Sequence, residues 1–369
     1  MKTKQNWTET KQRFEAWWKG DLSETPLTSL IIKGEEPSEP LENDDWTLSP
    51  DWPGDLKYKR TDVDALLARY RNFLRTRVFL ADSYPSLSLD LGPGSLALYL
   101  GSEPKFAEDT VWYTECVHNT WEDFPLVYNK DNYWWTLHYN MLKKARENSQ
   151  GEFLINIPDI VENIDILAAM RGATDICFDL MDEPALIKQR LNELDDLYFK
   201  YYNPLYELLK DDQGGSSYTA FKVWGPGKTA KVQCDFSALM SPEQFKNFIK
   251  PSLEKQCGAL DYSVFHLDGP GAIKHLPALM EIEPLRALQF TAGEGQPDSG
   301  SDKWHPIYDK VREVGKSLWI YVDGGPYAII EKARSLVKRY GINALYLLFP
   351  PMDRVSGEMI LKTAANGFK

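Results

Sequence analysis

The chain has no apolar run near the roughly 18 residues a helix needs to cross a bilayer, so no membrane span is expected. Its first stretch, MKTKQNWTETKQRFEAWWKGD, lacks the apolar centre of a secretory signal. Cysteine is scarce. The four (Cys116, Cys177, Cys234, Cys257) are scattered without CxxC spacing, which reads as reduced thiols in a cytoplasmic protein rather than a disulfide frame. Positive charge is in the minority: 42 Lys and Arg against 54 Asp and Glu leave a net charge of −12. So acidic a chain repels phosphate backbones, which argues against nucleic acid as a partner. No glycine-rich dinucleotide turn follows the first strand. WGPGKTAK contains Gly-Lys-Thr, but Lys222 stands where a phosphate loop requires its first glycine. Lys222, Lys228 and Lys231 then read as a solvated turn, with a small basic rim as the alternative.

What is present points to a large α/β domain. Hydrophobic residues make up 43% of 369, enough for a sizeable core, and a single α/β barrel can absorb that length. The 12 Trp and 19 Tyr serve mainly core and interface packing, with some left to wall a ligand cleft. Residues 1–60, rich in Trp, Pro and acids (EEPSEPLENDDWTLSPDWPGD), read as an extended arm or lid that folds over the barrel mouth, and residues 61–369 as the barrel domain. Trp7, Trp17, Trp18, Trp46 and Trp52 are costly to leave in water, hence the docked arm. A helix is expected from about Asp62, because DVDALLARYRNFL puts Val63, Leu66, Leu67, Tyr70 and Leu74 on one face. Residues 105–135 alternate like strands of an inserted hairpin.

From about residue 150 the pattern becomes rhythmic. EFLINIP reads as a strand, then a helix closed by Gly172, then strand ATDICFDL and a long helix with Pro184 near its start. SPEQFKNFIKPSLEKQCGAL is helical, with Ser241 as N-cap and Pro242 at the first position. Strands YSVFHL, RALQFTA, SLWIYVD and ALYLLF each precede a helical pattern. With VFLADSYPSLSLDLG near the front, about eight strands each lead into a helix, the pattern of a (β/α)8 TIM barrel rather than an open doubly wound sheet.

In such a barrel, function gathers where strands end. His266 and Asp268 end one strand inside His-Leu-Asp-Gly-Pro-Gly, where the glycines permit a sharp turn. Asp90, Asp179, Asp235 and Asp323 close others, and Gln289 and Glu294 flank LQFTAGEG. Several carboxylates around one histidine exceed what a core needs, because a buried carboxylate is costly unless paired or ligated. The competing reading, strongest for Asp90, Asp179 and Asp323, is N-capping of the helices that follow. The expected catalytic set is His266, Asp268, Asp235 and Glu294. Trp224, Gln289, Asp323, Asp90 and Trp304 are expected to bind substrate, and His266 with Asp268 to hold a metal. His275 reads as a packed or surface histidine, and His118, His138 and His305 as surface ones.

CDFSALMSPEQFKNFIKPSLEKQCGALDYSVFHLDGPGAIKHLPALMEI, together with ILAAMRGATDICFDLMDEPALIKQRLNEL and LDLGPGSLALYLG, resembles the uroporphyrinogen decarboxylase superfamily over roughly residues 75–365. That superfamily includes corrinoid-dependent methyltransferases that pass methyl groups to a thiol. The resemblance implies the same barrel with its cleft at the C-terminal face. The chain departs from it in two places. No arginine-rich N-terminal segment is present to meet a tetrapyrrole's carboxylates. The His-x-Cys of the methyltransferase zinc site is here His266-x-Asp268, with no cysteine after Cys257. The His-Leu-Asp-Gly-Pro-Gly element is similar to that of a divergent, corrinoid-associated subgroup. The resemblance therefore implies a methyltransferase or demethylase acting on a small molecule, with a divalent metal such as zinc bound by harder ligands than thiolate and a corrinoid protein as partner. A decarboxylase of a smaller acid, which would need Lys222 or Lys228 for the substrate carboxylate, a glycoside hydrolase, and a non-catalytic ligand-binding barrel stay open, as does oligomerisation.

Overall fold

The computed structural model describes residues 1–34 and 55–368. The stretch 35–54, with Trp46 and Trp52 of the expected arm, lies outside the described residues. The strands in chain order are β1 (Leu27–Lys33), β2 (Arg77–Ala81), β3 (Ser86–Leu87), β4 (Pro104–Phe106), β5 (Val111–Tyr113), β6 (Leu154–Ile155), β7 (Ser216–Tyr218), β8 (Val223–Gly225), β9 (Thr229–Gln233), β10 (Tyr262–Asp268), β11 (Ala287–Thr291), β12 (Ser317–Tyr321) and β13 (Leu345–Leu348). A central sheet runs β2-β1-β13-β12-β11-β10-β9. Every pair in it is parallel except β1 with the edge strand β2. A second parallel pair, β3 with β6, continues through an Ile157–Tyr218 bridge toward β7. Among the described residues, ladder hydrogen bonds do not carry these strands round into one closed ring, so what is observed is a mixed α/β fold on a parallel central sheet.

The parallel strands read as apolar runs because helices cover their outer face, and β11, β12 and β13 are buried almost throughout. One layer on the other face is unusual. Gln233, His266, Gln289, Trp319 and Tyr346 are register partners across β9 to β13, so their side chains share a face. The His266–Gln289 hydrogen bond and the Trp319–Tyr346 ring contact confirm it. Such layers are ordinarily filled by Val, Ile and Leu. Here the layer is polar and aromatic.

Several sequence expectations are corrected. Within the segment expected as an arm, helix Trp7–Lys19 packs on the domain and β1 lies in its central sheet, between β2 and β13. The helix covers the opening edge of the strands, not their C-terminal mouth. Trp17 Nε1 donates to Leu318 O, Ser317 Oγ to Trp17 O, and the Trp18 ring lies 5.2 Å from that of Tyr262, the first residue of β10. ATDICFDL is helix Ala173–Asp182, with Ile176, Asp179 and Leu180 on its buried side. Helical spacing outweighs the β-forming residues there. His138 is fully buried, between the Tyr99 hydroxyl (2.7 Å) and Leu89 O (2.9 Å). Other details agree. The helix Asn163–Arg171 ends at Gly172, whose φ of 96° suits glycine. Ser241 forms a capping box with Gln244. The hairpin expected over residues 105–135 is present only at its start, where β4 and β5 pair antiparallel; no strand follows as far as Asn132, and Tyr133 opens a helix. No described helix is long and apolar enough to cross a membrane.

Candidate metal centre at the C-terminal edge of the sheet

β10 delivers His266 and Asp268 two residues apart, hence to one side. Asp235 follows directly on the neighbouring β9. One ligand atom from each of Asp235, His266 and Asp268 lies within 4.8 Å of the others. Among the described residues this is the group of three or more His, Cys, Asp and Glu spaced to hold a metal ion.

The imidazole is held in one tautomer. Gln289 Nε2 donates to Thr291 Oγ1 at 2.9 Å, which turns its Oε1 toward His266, where Nδ1–H donates at 2.5 Å. The Nε2 lone pair is left for the mouth, the arrangement second-sphere partners impose on ligating histidines. Burial, then the nearby Lys231 charge, hold the His266 pKa below its ordinary value, so the ring is neutral and able to ligate at neutral pH.

Asp235 is placed by Asp165, in the first turn of the helix Asn163–Arg171, and by Gln233 of β9. Asp165 Oδ2 accepts from Asp235 N at 2.8 Å and Asp165 Oδ1 from Phe236 N at 2.9 Å, while Gln233 Nε2 donates to Asp235 Oδ2 at 2.9 Å. Asp235 is open to the mouth, yet protein crowds its carboxylate on the other sides. That desolvation, then the charge of Asp165, with Asp268 and Asp159 adding less and Lys231 opposing, raises its pKa to about 7. Lys231 is buried and committed elsewhere. Its ammonium donates to Asp159 Oδ2 at 2.5 Å and to Gln233 Oε1. Glu162 accepts from Gln233 N at 2.6 Å, its other oxygen is buried without a partner, and burial raises its pKa well above the carboxylate range. Val161 (φ 53°) and Asn163 (φ 50°) flank it in the left-handed region. A β-branched residue there is strained, and strain of this kind persists where surrounding structure enforces it, often at functional sites.

Beside the triad lies a cavity of about 480 Å³. Val161, Ile166, Ala168 and Ala169 give it an apolar body, the exposed Trp112 of the β4–β5 hairpin lines it too, and Asp165, Gln233 and Asp235 form its polar end.

The other expected residues lie elsewhere. Glu294 is exposed in the loop after β11, outside the triad. Asp323 accepts from Gly324 N at 2.7 Å in a turn organised by Asp298 and Lys332. Asp90 accepts from Gly92 N at 3.0 Å, with Arg60 Nη1 at 3.9 Å. Trp224 does not wall a cleft: it is buried at the opposite edge against Trp7 and Phe14. Trp304 is buried against Phe290 and donates to Pro297 O. Asp179 is tied to Arg171 and Trp121. His275 is packed, donating to Ser237 O and stacked on Phe245. The four cysteines are free and none joins the triad. The sequence reading missed Asp159, Glu162 and Asp165. Asp159 could have been found by its place just after the EFLINIP strand; the other two are hidden in a segment that reads as helix.

No family profile matches the chain, and no curated protein does. Solved structures do. A methyltransferase from Methanosarcina mazei superposes with a TM-score of 0.61 at 14% identity, covering 97% of this chain and 98% of that one. A B12-independent methionine synthase from Shewanella sp. W3-18-1, solved with selenomethionine, superposes with a TM-score of 0.52 at 10% identity, covering 94% and 97%. At these identities the likeness is one of fold: the chain shares its architecture, nearly end to end, with two enzymes of methyl transfer.

Proposed function

We propose that the chain is a methyltransferase acting on a small molecule, with Asp235, His266 and Asp268 as ligands of a divalent ion at its reaction centre. The observation that carries the reading is the convergence of these three side chains at the C-terminal edge of a sheet whose fold matches methyl-transfer enzymes. The residues fit an ion. The imidazole is neutral with Nε2 free, the carboxylates crowd one another in want of positive charge, and three protein ligands leave a further position for substrate. Oxygen and imidazole donors without thiolate suit zinc or a harder divalent ion.

A bound ion would supply a Lewis acid beside the cavity. The chain's own residues do the rest. Gln289 fixes the His266 ring, Asp165 and Gln233 fix Asp235, and the apolar cavity seats the substrate's body. The methyl acceptor is either a thiol or a corrinoid carried by a partner protein. A second reading, acid–base chemistry of a lyase type without an ion, draws on Asp235, whose pKa of about 7 lets it exchange a proton at neutral pH.

The test is to incubate the purified protein with zinc, cobalamin or a thiol, and a panel of O-, N- and S-methyl compounds carrying deuterated methyl groups, and to follow the label by mass spectrometry. Transfer by the wild type that is lost in His266→Ala supports the proposal. Transfer undiminished in that variant, or carbon dioxide release from acid substrates in place of transfer, overturns it.

A further inference from the structure

Lys222, Lys228 and Lys231 stand close in sequence but meet three different fates. Lys231 is buried in its pair with Asp159. Lys228 lies at the opposite edge of the sheet, where its carbonyl accepts from Asp261 N and Tyr262 N and its ammonium sits 5.9 Å from the Tyr206 ring centre. Lys222 has no hydrogen bond or ion pair for its ammonium among the described residues.

The backbone that presents Lys222 is held in a costly shape. Phe221 (φ 64°) and Lys222 (φ 48°) are consecutive non-glycine residues in the left-handed region, at the tip between β7 and β8. Two side chains of the polar layer clamp this tip: Trp319 Nε1 donates to Phe221 O at 2.8 Å, and the Tyr346 hydroxyl to Lys222 O at 2.9 Å. The Phe221 ring lies 5.2 Å from that of His266 and 5.1 Å from that of Trp319. The tip is therefore fixed inside the same ring of residues that orients the candidate metal ligand. The Lys222 side chain is exposed. No carboxylate is near enough to raise its pKa, so the ammonium stands apart from the acids of the triad.

Lys222 is thus a cation without a counter-charge among the described residues, held in place by a strained backbone. An oxyanion supplies the counter-charge through charge-assisted hydrogen bonds. We propose that Lys222 binds an oxyanionic group (carboxylate, sulfonate or phosphate) at one end of a small ligand whose other end faces the Asp235–His266–Asp268 triad. The inference does not depend on methyl transfer, and its test reads binding, so the two fail separately.

The test uses the full-length wild type with Lys222→Met and Lys222→Arg. Acetate, sulfate and phosphate are titrated calorimetrically against sodium chloride of matched ionic strength. At least one oxyanion should bind the wild type, bind the Arg variant comparably, and bind the Met variant at least about ten-fold more weakly. In parallel, acetylation of native wild type by acetic anhydride is mapped by peptide mass spectrometry, with Lys228 as internal control. The binding oxyanion should slow labelling of Lys222 and leave Lys228 unchanged. This arm stands even where the Met variant does not fold. No oxyanion binding by the wild type, equal binding by the Met variant, or labelling of Lys222 indifferent to the anion overturns the proposal.

Discussion

The two edges of the parallel sheet are built on opposite principles. At the edge where strands begin, Trp7, Phe14, Trp17, Trp18 and Trp224 interlock with Tyr84 and Tyr346 in edge-on and tilted ring contacts. Trp18 Nε1 finds Trp224 O at 2.9 Å, so even the polar handle of that ring is satisfied. Where strands end, carboxylates outnumber cations, Glu162 keeps an unpartnered buried oxygen, and Val161, Asn163, Phe221 and Lys222 hold left-handed backbone. The opening edge has left-handed residues of its own, Ala81 and Gln150, and an unpartnered buried Trp224 Nε1, so what separates the edges is charge: packed rings fill one, and carboxylates crowd the other. Stability and chemistry should therefore respond to different substitutions.

The largest stability effect is expected at the aromatic edge. Trp17→Ala removes a fully buried indole and should cost about 3–5 kcal/mol, read as a fall in the denaturant midpoint, with metal affinity unchanged if the variant folds. Gly215→Ala should cost about 1–3 kcal/mol by the same measurement, because a Cβ there would stand 2.2 Å from Trp224 Cζ2 and push the ring out of the cluster. At the mouth the balance reverses. Gln289→Leu frees the His266 ring to turn, and zinc titration should show about 10–100-fold weaker binding with the cooperative melt retained. Equal loss of stability from the Trp17 and Gln289 variants would erase the division between the edges.

The smallest effect lies away from both edges. Burial raises the Asp195 carboxyl from 3.8 to about 6, against a Ser252 hydroxyl bond that lowers it. A raised carboxyl means that the folded chain keeps a proton the unfolded chain has lost, so this contribution is complete below about pH 4 and disappears as pH rises through about 6. Asp195→Asn should gain stability relative to wild type across that window, seen as diverging melting temperatures. Parallel pH profiles would show that Asp195 titrates normally.

How legible these edges were in the sequence follows from the same physics. β10 to β13 announce themselves because parallel strands covered by helices are apolar runs, and an acid or histidine closing such a run marks the mouth. His266, Asp268 and Asp235 stand out as candidates that way, and the fold brings the three together. β3 and β6 are two residues each, too short for a pattern to register. Asp165 and Glu162 sit in DIVENIDIL, whose helical period conceals that its first turn is a strained loop. Tryptophan composition foretold burial of the N-terminal segment but not its direction, since a ring seeks any apolar surface. The cap at the bottom was thus mistaken for a lid at the top, and Trp224 for a cleft wall.

The central claim is that Asp235, His266 and Asp268 together hold a divalent ion. Native mass spectrometry with elemental analysis, on protein equilibrated with zinc and then desalted, tests it most directly. The account predicts one ion per wild-type chain and none in a folded His266→Ala, Asp268→Ala double variant. A wild type that emerges metal-free, or a double variant that keeps its ion, would contradict it.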